Sequence, residues 1–228
     1  MPDYVIPAPD AATLPVQGTD AVFPVRRIYC IGRNYADHAI EMGHDPDREP
    51  PFFFQKNPDN VDTSGEFPYP EQTQDVHYEI ELVVALKSGG RDIAEADALS
   101  HIYGYGIGLD MTRRDLQGEA KKMGRPWEVG KAFERSAPMT ALIPLETTGE
   151  LSEGAISLLV NGETKQKGDL NQMIWKVPEM IACLSRFYEL KAGDLIMTGT
   201  PAGVSAVQRG DKLKGEVAGL GTLDVTVT

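Results

Sequence analysis

Two glutamates, Glu79 and Glu81, lie two positions apart in the stretch VHYEIEL at residues 76–82. Side chains alternate between the faces of a β-strand, so both carboxylates would point the same way, about 7 Å apart. The following residues, LVVALK, place Val83 and Ala85 on that same face, which indicates a strand buried on both sides. Buried carboxylates require a proton, a basic partner or a metal ion, so this pair could form one end of a site.

Asp110 is a third carboxylate that could join this pair, because it ends the predicted strand IYGYGIGLD immediately before a predicted helix. Three carboxylates without a cysteine suit Mg²⁺, Mn²⁺ or Ca²⁺ rather than a structural zinc ion. The sequence leaves a second interpretation open, in which Asp110 caps the helix and the glutamates pair with lysine or arginine. His77 shares the face of the glutamates, and we expect a hydrogen-bonded core residue there rather than a metal ligand.

His38 and Glu41 are three residues apart in the predicted helix at 35–42, so they share one face of that helix. Such a pair can act as a general base and the carboxylate that orients it. A solvent-exposed pair has the same spacing, and only proximity to the three carboxylates would distinguish the two interpretations. We predict Asn34 as the N-cap of this helix and Gly43 as its C-terminal stop.

Several polar side chains are placed where they could bind a small anion. Arg114 and Gln117 share a face of the helix predicted at 112–124. Lys131 lies in the apolar stretch WEVGKAF, where its ammonium could stabilise an oxyanion, although a snorkelling lysine fits the same pattern. The turn TGTPAGV at 198–204 offers hydroxyl and N–H groups for a carboxylate, but many such turns bind nothing. The basic residues expected on a solvated face are Lys121, Lys122 and Arg125.

Short strands separated by glycine- and proline-rich turns dominate the elements that must position these residues. We predict strands at 27–32, 51–56, 76–87, 102–110, 139–144 and 155–161, with more in the tail that begins at GDLIMTG. We predict helices at 35–42, 93–102, 112–124 and 178–189. No regular βαβ alternation and no GxGxxG are present, which favours an α+β, mainly-β fold over a nucleotide-binding sheet.

Three local patterns sharpen these assignments. The three glycines of the strand at 102–110 recur at period two, so another backbone or a ligand must pack closely on their face. Thr112 and Asp115 have the spacing of a capping box, and Gly124 would end the same helix. The Asn-Gly pair at 161–162 predicts a tight hairpin turn after the preceding strand.

The composition is that of a globular protein with one core, since 41% of its 228 residues are hydrophobic and 25% are charged. We predict an irregular segment at 1–25 that packs on a single domain at 26–228. The formal net charge of −12 argues against nucleic acid or an anionic membrane as partner, but not against a small anionic substrate. Two cysteines offer no disulfide framework, and no transmembrane run or signal pattern is present, so we expect a soluble cytoplasmic protein.

Five segments together resemble the fumarylacetoacetate hydrolase family: GRNYADHAIEMG, HYEIEL with its E-x-E, GLDMTRRDLQ, GRPWEVGKAF and GDLIMTGTPAGV. Their order and spacing are far more specific than any one segment, and the resemblance covers most of the chain. The chain is similar to the small bacterial members of the family. Those that hydrolyse fumarylpyruvate are most similar to it in the segments PFFFQKNPDNV and NQMIWKVPEM.

The resemblance implies a mixed β-roll with peripheral helices, which usually forms a homodimer and binds Mg²⁺ or Mn²⁺. The metal ligands of the family correspond to Glu79, Glu81 and Asp110. Its histidine–glutamate dyad corresponds to His38 and Glu41, and its catalytic lysine to Lys131. The positions that would contact the substrate correspond to Arg114, Gln117 and Thr200, with Tyr35 and Lys56 as further candidates.

The activity implied by the resemblance is metal-dependent hydrolysis of a carbon–carbon bond in a 3-acylpyruvate. The foremost substrate is 3-fumarylpyruvate, which water would cleave to fumarate and pyruvate in aromatic catabolism of the gentisate type. In this mechanism His38, oriented by Glu41, takes a proton from water, and Lys131 stabilises the oxyanion. An oxaloacetate decarboxylase, or a related acylpyruvase or isomerase, would use the same metal site, so these activities remain alternatives.

Overall fold

The computed structural model describes residues 3–42 and 49–228 of the chain. Strands predominate there, and the helices are short. In chain order the strands are β1 (Thr13–Pro15), β2 (Val22–Pro24), β3 (Arg27–Gly32), β4 (Phe52–Lys56), β5 (Val61–Asp62), β6 (Glu66–Phe67), β7 (Val76–His77), β8 (Ile80–Leu86), β9 (Ile102–Leu109), β10 (Thr112–Arg113), β11 (Ala137–Pro138), β12 (Ile143–Pro144), β13 (Ala155–Val160), β14 (Glu163–Asp169), β15 (Asp194–Met197), β16 (Lys212–Val217) and β17 (Gly221–Val227). The α-helices are α1 (Ala36–Glu41), α2 (Arg114–Met123), α3 (Glu128–Lys131), α4 (Leu145–Thr148) and α5 (Val177–Phe187). Short 3-10 helices lie at Pro58–Asn60, Glu95–His101 and Leu170–Gln172.

Two larger sheets form the framework of the fold. The first has six strands in the order β12-β9-β8-β15-β3-β4, and its single parallel pair is β15 with β3. The second has five strands in the order β14-β13-β16-β17-β6, with β17 and β6 parallel. These mixed sheets with few helices confirm the α+β, mainly-β class. Among the described residues, no helix is long and apolar enough to span a membrane.

Strand β8 lies inside the six-stranded sheet, and all seven of its residues are buried, which confirms a strand covered on both faces. On one face, Leu82 and Val84 belong to the same apolar cluster as Ile156 of β13. On the other face, Val83 belongs to a cluster that includes Leu14 of β1. Each such side chain contributes roughly 1.5–3 kcal/mol when buried. A carboxylate on β8 is therefore costly unless another group compensates its charge.

The strand predicted at 76–87 is interrupted between His77 and Ile80. The two pieces differ in their partners, because β7 pairs with β10 whereas β8 pairs with β9. Glu79 lies in the interruption, and its carbonyl oxygen accepts a hydrogen bond of 2.9 Å from the backbone N–H of Asp110. Glu81 lies within β8, opposite Gly108 of β9. The start of β8 and the end of β9 therefore meet where Glu79, Glu81 and Asp110 lie.

The first helix begins one residue later than the sequence predicts, and its predicted N-cap is wrong. Tyr35 occupies the cap position without a side-chain hydrogen bond. The Asn34 amide instead donates to the carbonyl oxygens of Thr198 and Trp175 at 2.8 and 3.0 Å, and accepts from the Trp175 N–H at 2.7 Å. These long-range partners outcompete a local cap. The predicted stop, Gly43, lies outside the described residues.

The predicted capping box of α2 is also wrong, because both side chains have partners outside the helix. Thr112 belongs to β10, and its hydroxyl donates to the Asp110 carbonyl oxygen at 3.0 Å. The Asp115 carboxylate accepts hydrogen bonds from the Thr73 hydroxyl at 2.6 Å and the Gln74 N–H at 3.1 Å. The predicted stop is confirmed, since Gly124 adopts a left-handed φ of 63°.

Smaller differences concern other predicted elements. The helix expected at 93–102 is a 3-10 helix at Glu95–His101. The N-terminal segment contains the two-stranded ribbon of β1 and β2. The Asn-Gly turn at 161–162 joins β13 to β14 as the sequence predicts, with positive φ at both residues. The division of the chain at residue 25 stays a prediction.

The glycines of β9 allow another backbone to lie directly on the strand. A Cβ atom on Gly104 would lie 2.1 Å from the carbonyl oxygen of Ile143 in β12. At Gly108 it would lie 2.8 Å from a methyl group of Val83 on β8. The close neighbour predicted from the glycine pattern is therefore part of the protein and not a ligand. It holds β9, and Asp110 directly after it, in place.

We predict that Gly104→Ala lowers the free energy of unfolding by about 3 kcal/mol, because the β12 backbone must move away from β9. Urea unfolding followed by circular dichroism measures this change. Gly118→Ala is the matched control, since it is exposed on α2 and an added Cβ there has no atom within 4 Å. That variant should be more stable by up to about 1 kcal/mol, as alanine favours a helix. A Gly104→Ala protein as stable as the wild type would contradict the close packing.

Candidate active site

Glu79, Glu81 and Asp110 converge at one point, with one carboxylate oxygen of each within 4.8 Å of the others. All three side chains are buried. The end of β9, the interruption before β8 and the first residues of β8 supply them, so three different backbone positions must be held in register. Three buried hard oxygen donors at this spacing fit a divalent cation such as Mg²⁺ or Mn²⁺.

Glu79 has two basic partners. Its carboxylate accepts a hydrogen bond of 2.9 Å from Lys131 Nζ and another from the Arg114 guanidinium. Burial alone would raise the pKa of Glu79, but the charges of Lys131 and Arg114 hold this pKa well below its ordinary value. The ion-pair interpretation left open by the sequence is therefore correct for Glu79.

Glu81 differs, because none of the ion pairs among the described residues includes it. Its carboxylate accepts a hydrogen bond of 2.8 Å from the Gly199 N–H. Burial, together with the negative charges of Asp110 and Glu79, raises the pKa of Glu81 well above its ordinary value. An uncompensated buried carboxylate beside two others is a position where a bound cation would relieve repulsion. This observation, together with the donor set, supports the metal interpretation.

Two buried lysines hold Asp110. Lys131 Nζ donates to its carboxylate at 2.7 Å, and also to the Thr112 hydroxyl at 2.7 Å. Lys56 Nζ lies 2.8 Å from the other oxygen of Asp110 and donates to the Ser136 hydroxyl at 3.0 Å. Burial would lower the pKa of Lys131, but Asp110 and Glu79 raise this pKa above its ordinary value. The Lys131 ammonium thus acts here as a fixed positive charge.

His38 lies in the cleft beside the carboxylates, and Glu41 contacts it from an exposed position on the same helix. His38 is 6% exposed, and its Nδ1 lies 3.2 Å from Oε2 of Glu41. Both oxygens of Glu41 accept from the Gly203 N–H at 3.1 Å, which ties α1 to the turn after β15. The imidazole is thereby oriented with Nδ1 towards Glu41, and it lines the same cleft as Glu79 and Glu81.

The cleft above the carboxylates opens to solvent. Arg114 donates to the side-chain oxygen of Gln117 at 2.8 Å, so the two predicted neighbours on α2 are held as a unit. Thr200 is buried, and its hydroxyl accepts from Gln166 at 2.8 Å. The predicted site residues that line the cleft are His38, Glu79, Glu81, Arg114, Gln117, Lys131 and Thr200. Tyr35, Glu41 and Lys56 do not line it, and Asp110 is fully buried beneath it.

Three cleft residues contribute an aromatic wall that the sequence did not indicate. Trp127 packs edge-on against Phe52 with ring centroids 5.3 Å apart, and is tilted against Phe54 at 5.7 Å. Gln166 was also missed, although its amide links the Ile80 N–H to Thr200 and thus joins β14 to the site. No local pattern marks these residues, because they come from separate segments that only the fold brings together.

The prediction that Lys121 lies on a solvated basic face is wrong. It is half-buried and lines the cleft, whereas Lys122 and Arg125 are exposed as expected. Helical spacing could have identified it, since Lys121 lies one turn beyond Gln117 on the same face of α2. His77 behaves as predicted, because its Nε2 lies 2.9 Å from an oxygen of Asp75, away from the metal-binding group.

Comparisons with known proteins agree with this geometry. Residues 27–228 match the family described as "Fumarylacetoacetate (FAA) hydrolase C-terminal". A fumarylpyruvate hydrolase from a Ralstonia species is 46% identical over 189 residues, covering 82% of this chain and 98% of the relative. An oxaloacetate tautomerase of Escherichia coli K12 is 42% identical over 198 residues, covering 86% of this chain and 90% of the relative.

The fold also matches a crystal structure of fumarylpyruvate hydrolase from Pseudomonas aeruginosa in complex with Mn²⁺ and pyruvate. That protein is 52% identical and superposes with a TM-score of 0.97, covering 99% of each chain. The family match extends over both larger sheets and over all three carboxylates. The chain belongs to the fumarylacetoacetate hydrolase family.

Proposed function

We propose that this protein hydrolyses a carbon–carbon bond of a 3-acylpyruvate, with 3-fumarylpyruvate as the foremost substrate and fumarate and pyruvate as products. The observation that carries the proposal is the buried group of Glu79, Glu81 and Asp110 at the base of a cleft that His38 also lines. Support comes from the two fumarylpyruvate hydrolases at 46% and 52% identity.

Glu79, Glu81 and Asp110 would hold one Mg²⁺ or Mn²⁺ ion. A bound divalent cation supplies Lewis acidity that favours negative charge on a 2-oxo acid. The Pseudomonas aeruginosa relative, which was crystallised with Mn²⁺ and pyruvate, supports this role. Arg114 and Gln117, held together by their hydrogen bond, would orient the carboxylate end of the substrate, and Thr200 would face it from the opposite segment.

His38 would act as the general base. Its Nδ1 faces Glu41, so Nε2 is left to take a proton from the attacking water. The water oxygen forms a bond to the distal carbonyl carbon, and the bond between this carbon and C3 of the pyruvate unit then breaks. The electron pair passes to the pyruvate fragment, which takes up a proton, and the acyl fragment leaves as fumarate. Glu41 favours the imidazolium that forms in the first step, because its carboxylate is held by Gly203.

Lys131 would stabilise the oxyanion at the distal carbonyl. Its ammonium lines the cleft, and it stays protonated because two carboxylates raise its pKa. All three of its N–H groups have acceptors, namely Glu79, Asp110 and Thr112. Donation to an oxyanion therefore requires one of these acceptors to turn away from Lys131. The same contacts also give this residue a second role, which is to hold the carboxylates in position.

Oxaloacetate tautomerase or decarboxylase activity is the second candidate. The Escherichia coli oxaloacetate tautomerase is 42% identical, so a similar scaffold serves a different reaction. Oxaloacetate is also a 2-oxo acid, and the same carboxylates and His38 could handle it without an attacking water. We further propose a homodimer in the cytoplasm that serves aromatic catabolism, and the free thiols of Cys30 and Cys183 are consistent with a reducing compartment.

A substrate panel tests the function. We predict that the purified protein with Mg²⁺ or Mn²⁺ releases pyruvate from fumarylpyruvate faster than from acetylpyruvate, and that it acts on acylpyruvates faster than on oxaloacetate. Pyruvate is measured with a coupled dehydrogenase, and loss of the ultraviolet absorbance of the conjugated substrate gives an independent measure. Faster conversion of oxaloacetate than of every acylpyruvate would favour the second candidate, and no pyruvate release from any acylpyruvate would refute the first.

We predict that Glu81→Gln weakens Mn²⁺ binding by at least about a hundredfold, because a carboxylate ligand becomes a neutral amide. Without a cation the variant should melt at a temperature at least as high as the wild type, since the substitution removes a repelling charge from the cluster. Calorimetric titration measures the first effect and thermal unfolding the second. Glu128→Gln, at an exposed position of α3, is the control and should bind Mn²⁺ as the wild type does. Unchanged affinity in Glu81→Gln would remove Glu81 from the ligand set.

We predict that His38→Ala lowers kcat for acylpyruvate hydrolysis by a factor of about 10²–10⁴, the usual contribution of a general base. Mn²⁺ affinity should be kept, because His38 is not one of the three carboxylates. Asp37→Ala, at the exposed neighbouring position on α1, serves as the control for helix stability and should retain activity. Wild-type turnover by His38→Ala would exclude the proposed base.

A further inference from the structure

Two cations at the mouth of the cleft have no role in the chemistry described so far. Lys121 of α2 and Arg33, which follows β3, both line the cleft. Lys121 is half-buried and the Arg33 side chain is 28% exposed, whereas Lys131 is only 2% exposed. The gradient of exposure places Lys131 at the inner end of the cleft, and Lys121 and Arg33 at the outer end.

Lys121 has other positively charged side chains near it, namely Arg114, Lys131 and Arg33. None of the ion pairs among the described residues includes it, and its ammonium lies 4.8 Å from the centre of the Trp127 ring. Burial and, to a smaller extent, the positive charges of Arg114, Lys131 and Arg33 together lower the pKa of Lys121 to about 8. A partly desolvated ammonium that repels its neighbours gains more than a surface lysine from binding an anion.

Arg33 is held in an unfavourable backbone conformation beside the same space. Its φ of 57° lies in the left-handed region, which is uncommon for residues other than glycine, asparagine and aspartate. Its guanidinium lies 5.1 Å from the centre of the Phe52 ring. Within the part of the chain that the structure describes, its acidic partner is Glu49, which is 3.9 Å away and 68% exposed, so this pair contributes little. The guanidinium is therefore available to an incoming anion.

Between the two charged ends lies the aromatic wall of Phe52, Phe54 and Trp127. Lys131 Nζ lies 5.0 Å from the centre of the Phe54 ring at the inner end, and Lys121 stands over Trp127 at the outer end. A flat, apolar chain can pack against such rings. The cleft thus offers an inner end where Arg114 and Lys131 lie beside the carboxylate cluster, an apolar middle and a second cationic end.

We propose that Lys121 and Arg33 form a subsite for a second carboxylate at the far end of the substrate. The site then selects 2-oxo acids that carry a carboxylate at each end of a flat chain, over 2-oxo acids that end in an alkyl group. This inference rests on the proposed function, since it assumes that the 2-oxo acid end binds at the metal-binding carboxylates. It assigns the choice of acyl group to two residues at the mouth of the cleft.

The test uses binding without turnover, so that it does not depend on hydrolysis. The two ligands are 2-oxoheptanedioate and 2-oxoheptanoate, which have equal chain length and differ only in a terminal carboxylate or methyl group. Neither has the second carbonyl that hydrolysis requires. Their affinities for the Mn²⁺-loaded protein are measured by calorimetry for the wild type, Lys121→Met and Lys121→Arg. Lys122→Met is the matched control, because it removes the adjacent charge from an exposed position outside the cleft.

We expect the wild type to bind the dicarboxylate at least about tenfold more tightly than the monocarboxylate, which corresponds to one charge-assisted contact. Lys121→Met should reduce that ratio by about tenfold. Lys121→Arg should restore most of the ratio, and Lys122→Met should retain it. A merely structural role of Lys121 would weaken both ligands equally and leave the ratio unchanged.

Kinetics separate this inference from the proposed function. If the wild type hydrolyses fumarylpyruvate, Lys121→Met should raise KM for this substrate by about tenfold while kcat changes less. A wild type that shows no preference for the dicarboxylate, or a Lys121→Met protein that keeps the preference, overturns the subsite even if hydrolysis is observed. A wild type that prefers the dicarboxylate through Lys121 but hydrolyses no acylpyruvate supports the subsite and refutes only the reaction.

Discussion

The burial of three carboxylates side by side is the constraint on which the rest of the structure depends. In a medium of low dielectric constant, like charges at this spacing repel strongly, and they remain together only where other charges compensate them. Lys131 and Arg114 compensate Glu79, and Lys131 and Lys56 compensate Asp110. Glu81 keeps a raised pKa because it has no such partner. The inner end of the cleft is therefore a place where an added positive charge would be stabilised.

A rigid framework is needed to keep the three carboxylates this close together. Strand β8 is covered on both faces. The backbone of β12 can approach β9 closely because glycines leave one face of β9 without side chains. The strand changes partner near residues 78–79, and there the carbonyl oxygen of Glu79 accepts a hydrogen bond from the Asp110 N–H. Each device reduces the freedom of a carboxylate that would otherwise move away from its neighbours. The same rigidity would also preorganise a cation site, since its ligands need not rearrange on binding.

The position of His38 depends on contacts made far along the chain. Asn34 binds Thr198 and Trp175, and Glu41 binds Gly203, so both ends of the short α1 segment are tied to the region that follows β15. Six residues of helix would have little stability without such contacts. The orientation of His38 is therefore a property of the assembled site rather than of its own helix.

The sequence by itself determined which residue types are available and which elements carry them. The apolar run after the glutamates, the glycines of β9 and the hairpin at 161–162 are local signals that the structure confirms, whereas the strand predicted through Glu79 is interrupted at that residue. The predicted N-caps were wrong because Asn34 and Asp115 bind distant segments, which no local rule detects, and because Thr112 lies in β10 rather than at the start of the helix.

The tertiary structure alone decided how those residues act together. It separated the paired Glu79 from the unpaired Glu81, although the two have the same side chain and the same strand face by spacing. It also moved Lys121 from an expected solvated surface to the mouth of the cleft, beside aromatic rings from β4 and the segment before α3. The physical reason is that burial and the sign of neighbouring charges set the behaviour of an ionisable group, and both arise only when distant segments pack.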